Sequence, residues 1–169
     1  QFINILPDKN WSNVMRRPMS IASQGKNEIS IIYKVFGQGT DLISKWKIDD
    51  RIDIIGPLGN WWNDYEKIET NNNTRIRCIP VLIGGGVGIA PIINLHNELL
   101  SKSIKHYLIM GARTKNEHFI KHNPKNNIYL STDMEDYGIR GNVLIALEHF
   151  LGSNWSNRRS RFKIFSSIK

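Results

Sequence analysis

The chain has 169 residues, 40% hydrophobic and 22% charged, which is enough to bury a real core in one domain or two small ones. No apolar run approaches the roughly 20 residues of a membrane span, so no membrane association and a cytoplasmic protein are expected. A single cysteine, Cys78, excludes a disulfide framework, and the net charge of +8 suits phosphorylated cofactors, an acidic partner or a solvated lysine-rich surface.

Taken in order, Val14–Ser23, Glu28–Phe36 and Arg51–Ile55 read as strands, mixing alternation with β-branched residues. Between Gly39 and Trp46 a short helix is expected, with Thr40 as its N-cap and Leu42, Ile43 and Trp46 turned inward. The polar tract Glu69–Arg77, with Asn71, Asn72, Asn73 and Thr74, reads as a loop and a domain boundary, dividing the chain into 1–70 and 75–169. Strands and helices then alternate: strand Ile79–Ile83, helix Pro91–Leu100, strand His106–Met110, strand Ile128–Thr132, helix Asn142–Leu151 and strand Phe162–Ser166. Ile92, Leu95, Leu99 and Leu100 are expected to line the buried face of the first of these helices, and Val143, Leu144, Leu147 and Phe150 that of the second. Such a rhythm predicts a doubly wound parallel sheet. The β part has too few strands to close a barrel, the chain starts at Gln1 and its last strand stops near Lys169, so a fragment is expected.

Two stretches carry possible chemistry. In I-P-V-L-I-G-G-G-V-G-I-A-P an apolar strand ends in Gly84, Gly85, Gly86, Val87 and Gly88 and a helix follows, an arrangement whose bare backbone and helix dipole favour a phosphate. The G-x-G-x-x-G fingerprint is not met, because Ile89 and Pro91 stand where the third glycine would be; a tight turn without a ligand is the alternative. Upstream, R-R-P-M-S (Arg16–Ser20) and G-Q-G-T (Gly37–Thr40) form two halves of a second anion site, or else a basic strand start and an ordinary turn. The loops Gly111–Thr114 and Thr132–Asp136 fall at strand ends, where ligands of such sheets gather. Arg113 suits the adenosine end of a dinucleotide, a 2′-phosphate or an exposed salt bridge. Trp61 and Trp62 suit a flavin flank, a subunit interface or interdomain packing. His118 and His122 are four apart with no third ligand, so no metal site is expected. The densest basic cluster, Arg158, Arg159 and Arg161, lacks an aromatic-basic stripe, and no nucleic acid partner is expected.

The ordered series R-R-P-M-S-I-A-S, I-I-Y-K-V-F-G-Q-G-T, G-P-L-G-N, V-L-I-G-G-G-V-G-I-A-P, G-A-R and S-T-D-M-E-D-Y-G-I-R-G-N-V resembles the ferredoxin-reductase superfamily. Within it the chain is most similar to the electron transfer subunits of dihydroorotate dehydrogenases, over about Arg16 to Val143. The resemblance implies an FAD-binding β-barrel, incomplete here, followed by an NAD-binding doubly wound α/β domain. Arg17, Pro18, Met19 and Ser20 would bind FAD, with Arg17 on the pyrophosphate and Ser20 near flavin N5. Ile32, Tyr33 and Lys34 would lie along the flavin nucleotide, and Gly39 and Thr40 on its phosphates. Gly85, Gly86, Val87 and Gly88 would border the nicotinamide dinucleotide, with Thr132 and Asp133 closing the crevice.

The implied activity passes electrons from dihydroorotate, oxidised in an FMN-containing catalytic subunit, through a [2Fe–2S] cluster and FAD to NAD⁺ in pyrimidine synthesis. No side-chain acid or base is implied. The family's four-cysteine segment is missing, so the cluster belongs to the full-length protein and not to this chain, and M-E-D at Met134–Asp136 stands where the family shows D-G-S. The alternatives are another NAD(P)H–flavin reductase, serving an oxygenase, hydrogenase or sulfur enzyme, and a non-catalytic binding or regulatory module on the same fold.

Overall fold

A computed structural model describes residues 1–8, 15–63, 65, 68–71, 74–154 and 161–167. Val14, Asn72, Asn73, Arg158 and Arg159, which enter the expectations above, lie outside the described residues. Packing divides the chain into two units, Gln1–Trp61 and Trp62–Lys169.

The first unit is an antiparallel sheet of β1 (Phe2–Ile5), β2 (Arg17–Gln24), β3 (Ile29–Ile31) and β4 (Ile54–Leu58) in the order β3-β2-β1-β4, with α1 (Gln38–Ser44) on it. Strand alternation sends Ile3 and Ile5 of β1 and Met19 and Ile21 of β2 to one face, where Ile43 of α1 completes the core. Ile31, Tyr33 and Trp46 pack at its rim. β1, too short to announce itself in the sequence, becomes a central strand because both its neighbours pair with it, Asn4 facing Pro18 on one side and Ile55 on the other.

Two expectations change here. The strand expected over Glu28–Phe36 stops at Ile31, because the chain must leave the sheet to reach the left-handed turn at Gly37 (φ 80°) and enter α1. Gly37 is also the N-cap of α1, whereas Thr40 sits inside its first turn. From there the Thr40 hydroxyl accepts from Phe36 N at 2.6 Å and donates to Gly37 O at 3.2 Å, so it secures the helix start from within.

In the second unit β6 (Thr74–Gly85) is flanked by β10 (Arg161–Ser167) and β7 (Tyr107–Ala112), and β8 (Ile128–Thr132) and β9 (Ile139–Arg140) extend the sheet, all parallel in the order β10-β6-β7-β8-β9. The tract expected as a loop instead forms a hairpin: β5 (Ile68–Asn71) pairs antiparallel with the first residues of β6, Asn71 facing Thr74. Ile68, Thr70, Thr74 and Ile76 supply the β-branched residues that a count of polar side chains overlooks.

Helices α2 (Ile89–Ser101) and α3 (Val143–Asn154) cover opposite faces. Val81, Ile83, Tyr107, Ile109 and Tyr129 meet Val143, Ala146 and Phe150 of α3. On the other face a Cβ at Gly84 would stand 3.3 Å from Ile89 Cα and from Ile92 Cγ1 of α2. Leu100 and Leu144, expected inside, are exposed; Ile93 and His96 of α2 and Ala146 of α3 take the buried positions, since a residue next to the stripe is turned about 100° away from it. Among the described residues no helix is long and apolar enough to cross a membrane.

Candidate functional site

Each unit holds one cluster of the residues singled out from sequence. In the first, alternation along β2 sends Arg17 to the same face as Met19 and Ile21, the face that α1 covers. Its guanidinium accordingly lies against the start of α1: a Cβ at Gly39 would come within 3.0 Å of Arg17 Cζ and Nη2, and closer still to Nε. The guanidinium thus occupies the space a side chain at position 39 would take, and Arg17 Nη1 donates to Met15 O at 3.0 Å, which steadies it. Two segments 22 residues apart are thus joined at one cationic spot. Met19 is a core residue; Pro18 and Ser20 point to the other face of β2, Ser20 paired with Phe2. Ile32, Tyr33 and Lys34 follow β3 as irregular chain, Tyr33 against the core and Lys34 exposed. Neighbouring Arg16 is engaged elsewhere, in an ion pair with Asp53 at 2.9 Å.

In the second unit the chain winds outward from β6 to β7 and β8, then crosses back through α3 to β10 on the far side of β6. That makes the carboxyl end of β6 a topological switch point, where doubly wound sheets take their ligands. Gly85 ends the strand, Gly86–Gly88 form one turn of 3₁₀ helix, and α2 starts at Ile89. Gly86 has φ 56°, and a side chain there would project into open space, so the turn presents bare backbone outward. Val87 is partly exposed beside it, and Gly88 is buried under the helix start.

The neighbouring strands end level with this loop, Gly85 facing Gly111 and Gly111 facing Ser131. Two inter-strand steps place the end of β8 about 10 Å from that of β6. Thr132 is buried, its hydroxyl proton shared between Glu135 O at 2.6 Å and Tyr137 O at 2.9 Å while the oxygen accepts from Tyr137 N at 3.3 Å. It therefore shapes its own loop, and the exposed Asp133 is the member of the pair that faces outward. Glu117, which the sequence reading did not single out, closes the β7 loop on itself, its Oε2 accepting from Arg113 N at 3.1 Å, and Glu135 ties that loop to the β8 loop, its Oε2 accepting from Lys115 N at 2.8 Å. Glu135 belongs to the M-E-D segment, so the departure from the family pattern has a structural use.

No protein-family model matches the chain. It is 31% identical over 158 residues to a dihydroorotate dehydrogenase B (NAD(+)) electron transfer subunit of Fusobacterium nucleatum, covering 91% of this chain and 58% of that protein. It is 31% identical to the same subunit of Streptococcus thermophilus over 89% of this chain and 57% of the relative. The chain is a homologue of these electron transfer subunits. It spans somewhat over half of their length. Among solved structures, an NADH-dependent reduced ferredoxin-NADP oxidoreductase superposes with a TM-score of 0.70 at 24% identity, covering 99% of this chain and 56% of that one. The ferredoxin reductase in carbazole 1,9a-dioxygenase gives 0.64 at 15% identity, covering 98% and 50%. Identities this low establish the fold: ferredoxin-reductase-like, an antiparallel sheet followed by a doubly wound parallel one.

Within that fold the histidines serve the frame. His96 and His106 are hydrogen-bonded to each other inside the second unit at 2.7 Å. His118 Nε2 donates to Ser131 O at 2.9 Å, which leaves its Nδ1 and the Ser131 hydroxyl as buried polar atoms without a partner among the described residues at the end of β8. Burial holds His118 and His122 below the usual imidazole range. Among the described residues no group of three His, Cys, Asp or Glu is placed to hold a metal. Trp62 donates Nε1–H to Pro91 O at 3.3 Å and packs edge-on against Phe165 at 5.7 Å, so it anchors the start of the second unit to α2 and β10.

Proposed function

We propose that this chain is the FAD- and NAD-binding part of an electron transfer subunit that passes electrons from dihydroorotate oxidation, carried out by a partner catalytic subunit containing FMN, to NAD⁺ in cytoplasmic pyrimidine synthesis. The observation that carries the reading is Arg17 lying on Gly39: it supplies a fixed cation beside bare backbone, the surroundings a pyrophosphate needs. The names of the homologues supply the substrate and the partner.

Each chain residue then has a task. Arg17 neutralises the FAD pyrophosphate with Gly39 and Thr40 beside it, and Ile32, Tyr33 and Lys34 run along the nucleotide, whereas Ser20, on the other face of β2, has its place near the flavin ring from the resemblance alone. Gly85, Gly86, Val87 and Gly88 offer backbone to the nicotinamide dinucleotide at the switch point of the sheet. Thr132 holds the loop that presents Asp133. Glu117 and Glu135, which already occupy the N–H groups of Arg113 and Lys115, favour an unphosphorylated adenosine ribose and hence NAD. Bound FAD supplies the exchange between a two-electron hydride donor or acceptor and single-electron centres.

A [2Fe–2S] cluster does not fit this chain. Its ligation takes about four thiolates, and the one cysteine is buried in β6, so any such cluster is held by other residues. A second reading on the same fold is a reductase component that serves a different redox partner.

Reconstitution tests these readings. The protein loaded with FAD is expected to show flavin bands that NADH bleaches anaerobically, and absence of those bands sinks the redox reading in favour of a binding module. Reduction by NADH but no dihydroorotate-dependent NAD⁺ reduction with the catalytic subunit selects the second reading. Arg17→Ala should weaken FAD binding by about 2 kcal/mol, the worth of a hydrogen bond to a charged group, with Arg17→Lys intermediate because it loses the fork. Equal FAD affinity in all three proteins, read by flavin fluorescence, would remove Arg17 from the site.

A further inference from the structure

In the second unit two histidines, four residues apart, grip successive residues of β8. His118 Nε2 lies 2.9 Å from Ser131 O, which can only accept, and His122 Nδ1 accepts from Leu130 N at 3.0 Å. Both rings are therefore neutral, with the proton on Nε2 and a bare Nδ1. An added proton would go to Nδ1 in each ring. At His118 that atom is buried with no acceptor among the described residues, and at His122 it faces a donor, the Leu130 N–H. The loop that carries Asp133 is hung on the same contacts. His122 N donates to the Tyr137 hydroxyl at 3.2 Å, a Cβ on Gly138 would stand 3.2 Å from His122 Nδ1, and Tyr137 N and O are both bonded to the Thr132 hydroxyl.

We propose that His118 and His122 form an acid-operated latch on this loop: protonation of the two rings frees the segment after Thr132 and weakens the second unit's hold on a nicotinamide dinucleotide. The inference rests on the dinucleotide reading given above and adds a control to it. Among the described residues, the charged or titratable side chains that face His122 are His118 of its own segment and His149 of α3, which both oppose a further positive charge, and the Tyr137 hydroxyl. The Leu130 main chain is the one neighbour that favours a charged His122, and a charged ring can reach it only by letting go of the Leu130 N–H. His118 faces Glu117, which favours its charged form, and the Tyr137 ring at 6.2 Å, over which the Lys115 ammonium is placed at 5.0 Å. Burial outweighs Glu117, and both rings stay below the usual imidazole value of 6.5. The latch is therefore fully shut above that value and opens as the pH falls below it.

The test uses the 169-residue chain, natural and as the double variant His118→Gln/His122→Asn. These amides keep a donor at the place of His118 Nε2 and an acceptor at the place of His122 Nδ1, and neither takes up a proton. Two readouts are followed from about pH 7.5 to about pH 5.5: the affinity for NAD⁺, and amide hydrogen exchange of residues 130–138 relative to β6 and β7, corrected for its intrinsic pH dependence. In the natural sequence the Kd for NAD⁺ is expected to rise about ten-fold and the 130–138 amides to lose protection, while the double variant stays flat in both. Equal pH dependence in the two proteins overturns the proposal and leaves the dinucleotide reading standing. Exchange at 130–138 that follows β6 and β7 throughout in the natural sequence also overturns it, and this measurement needs no variant. If NAD⁺ binds at no pH but the local loss of protection occurs and is absent from the variant, the latch stands and the dinucleotide reading falls.

Discussion

Replacing Gly138 by alanine is expected to destabilise the second unit by about 3 kcal/mol. Gly138 has φ 74°, a left-handed conformation that costs a residue with a Cβ roughly 1–2 kcal/mol. The added methyl would also press on the Leu130 carbonyl oxygen and stand 3.1 Å from Leu130 C and 3.2 Å from His122 Nδ1. None of these atoms can yield easily: Leu130 is a β8 residue paired with Met110, and its N–H is bound to His122 Nδ1 at 3.0 Å. Overpacking of this kind typically adds about 1–3 kcal/mol. Gly152→Ala is the control, because a Cβ there meets nothing within 4 Å and alanine is the better helix former in α3. Urea unfolding should place Gly138→Ala well below the natural sequence and Gly152→Ala at or above it. Coincident midpoints for Gly138→Ala and the natural sequence would falsify the strain argument. Since Tyr137 O accepts from the Thr132 hydroxyl, the same substitution should also loosen the loop that carries Asp133.

Acid should weaken the second unit through its buried histidine pair. His106 Nδ1 lies 2.7 Å from Ile104 O, which can only accept, so this nitrogen carries the proton. His106 Nε2 must then accept from His96 Nδ1–H across 2.7 Å, and both rings are neutral. Burial first, and the neighbouring His106 second, push His96 down from 6.5 to about 4, and burial lowers His106 as well. Between those values the unfolded chain binds more protons than the folded one. The pair's contribution is therefore complete above pH 6.5 and is lost as the pH falls from there through about 4. For His96 alone the loss between pH 7 and pH 5 is about 2 kcal/mol, and lowered His118 and His122 act in the same direction. The double variant His96→Leu/His106→Leu should show a shallower fall in urea midpoint over this range. An equally steep fall in the double variant would assign the acid sensitivity to other groups. His106→Leu alone should cost about 1–3 kcal/mol at pH 7, because it leaves the His96 N–H buried without an acceptor.

These effects show which parts of the molecule could be read from its sequence. The strand, glycine turn and helix from β6 to α2 were legible because each signal is local: an apolar run, a break that only glycine permits, and a helical period whose hydrogen bonds close within four residues. The order of motifs from Arg16 to Val143 likewise pointed to the homologues and to an antiparallel sheet followed by a parallel one, since it needs no knowledge of how the parts pack. Cys78 alone sufficed to exclude an iron–sulfur site in this chain. Strands depend on partners far away in sequence, and there the reading ran short. β1 exists because β2 and β4 flank it, β5 because β6 lies beside it, and the strand expected through Phe36 ends at Ile31 because the route into α1 leads off the sheet. Only the tertiary structure laid Arg17 on Gly39, turned the Thr132 hydroxyl into its own loop, joined His96 to His106 and left Phe36 in solvent. Residue types and their spacing specify what each segment can form, whereas contacts between distant segments, closed at an entropic cost that no local pattern records, determine which groups meet.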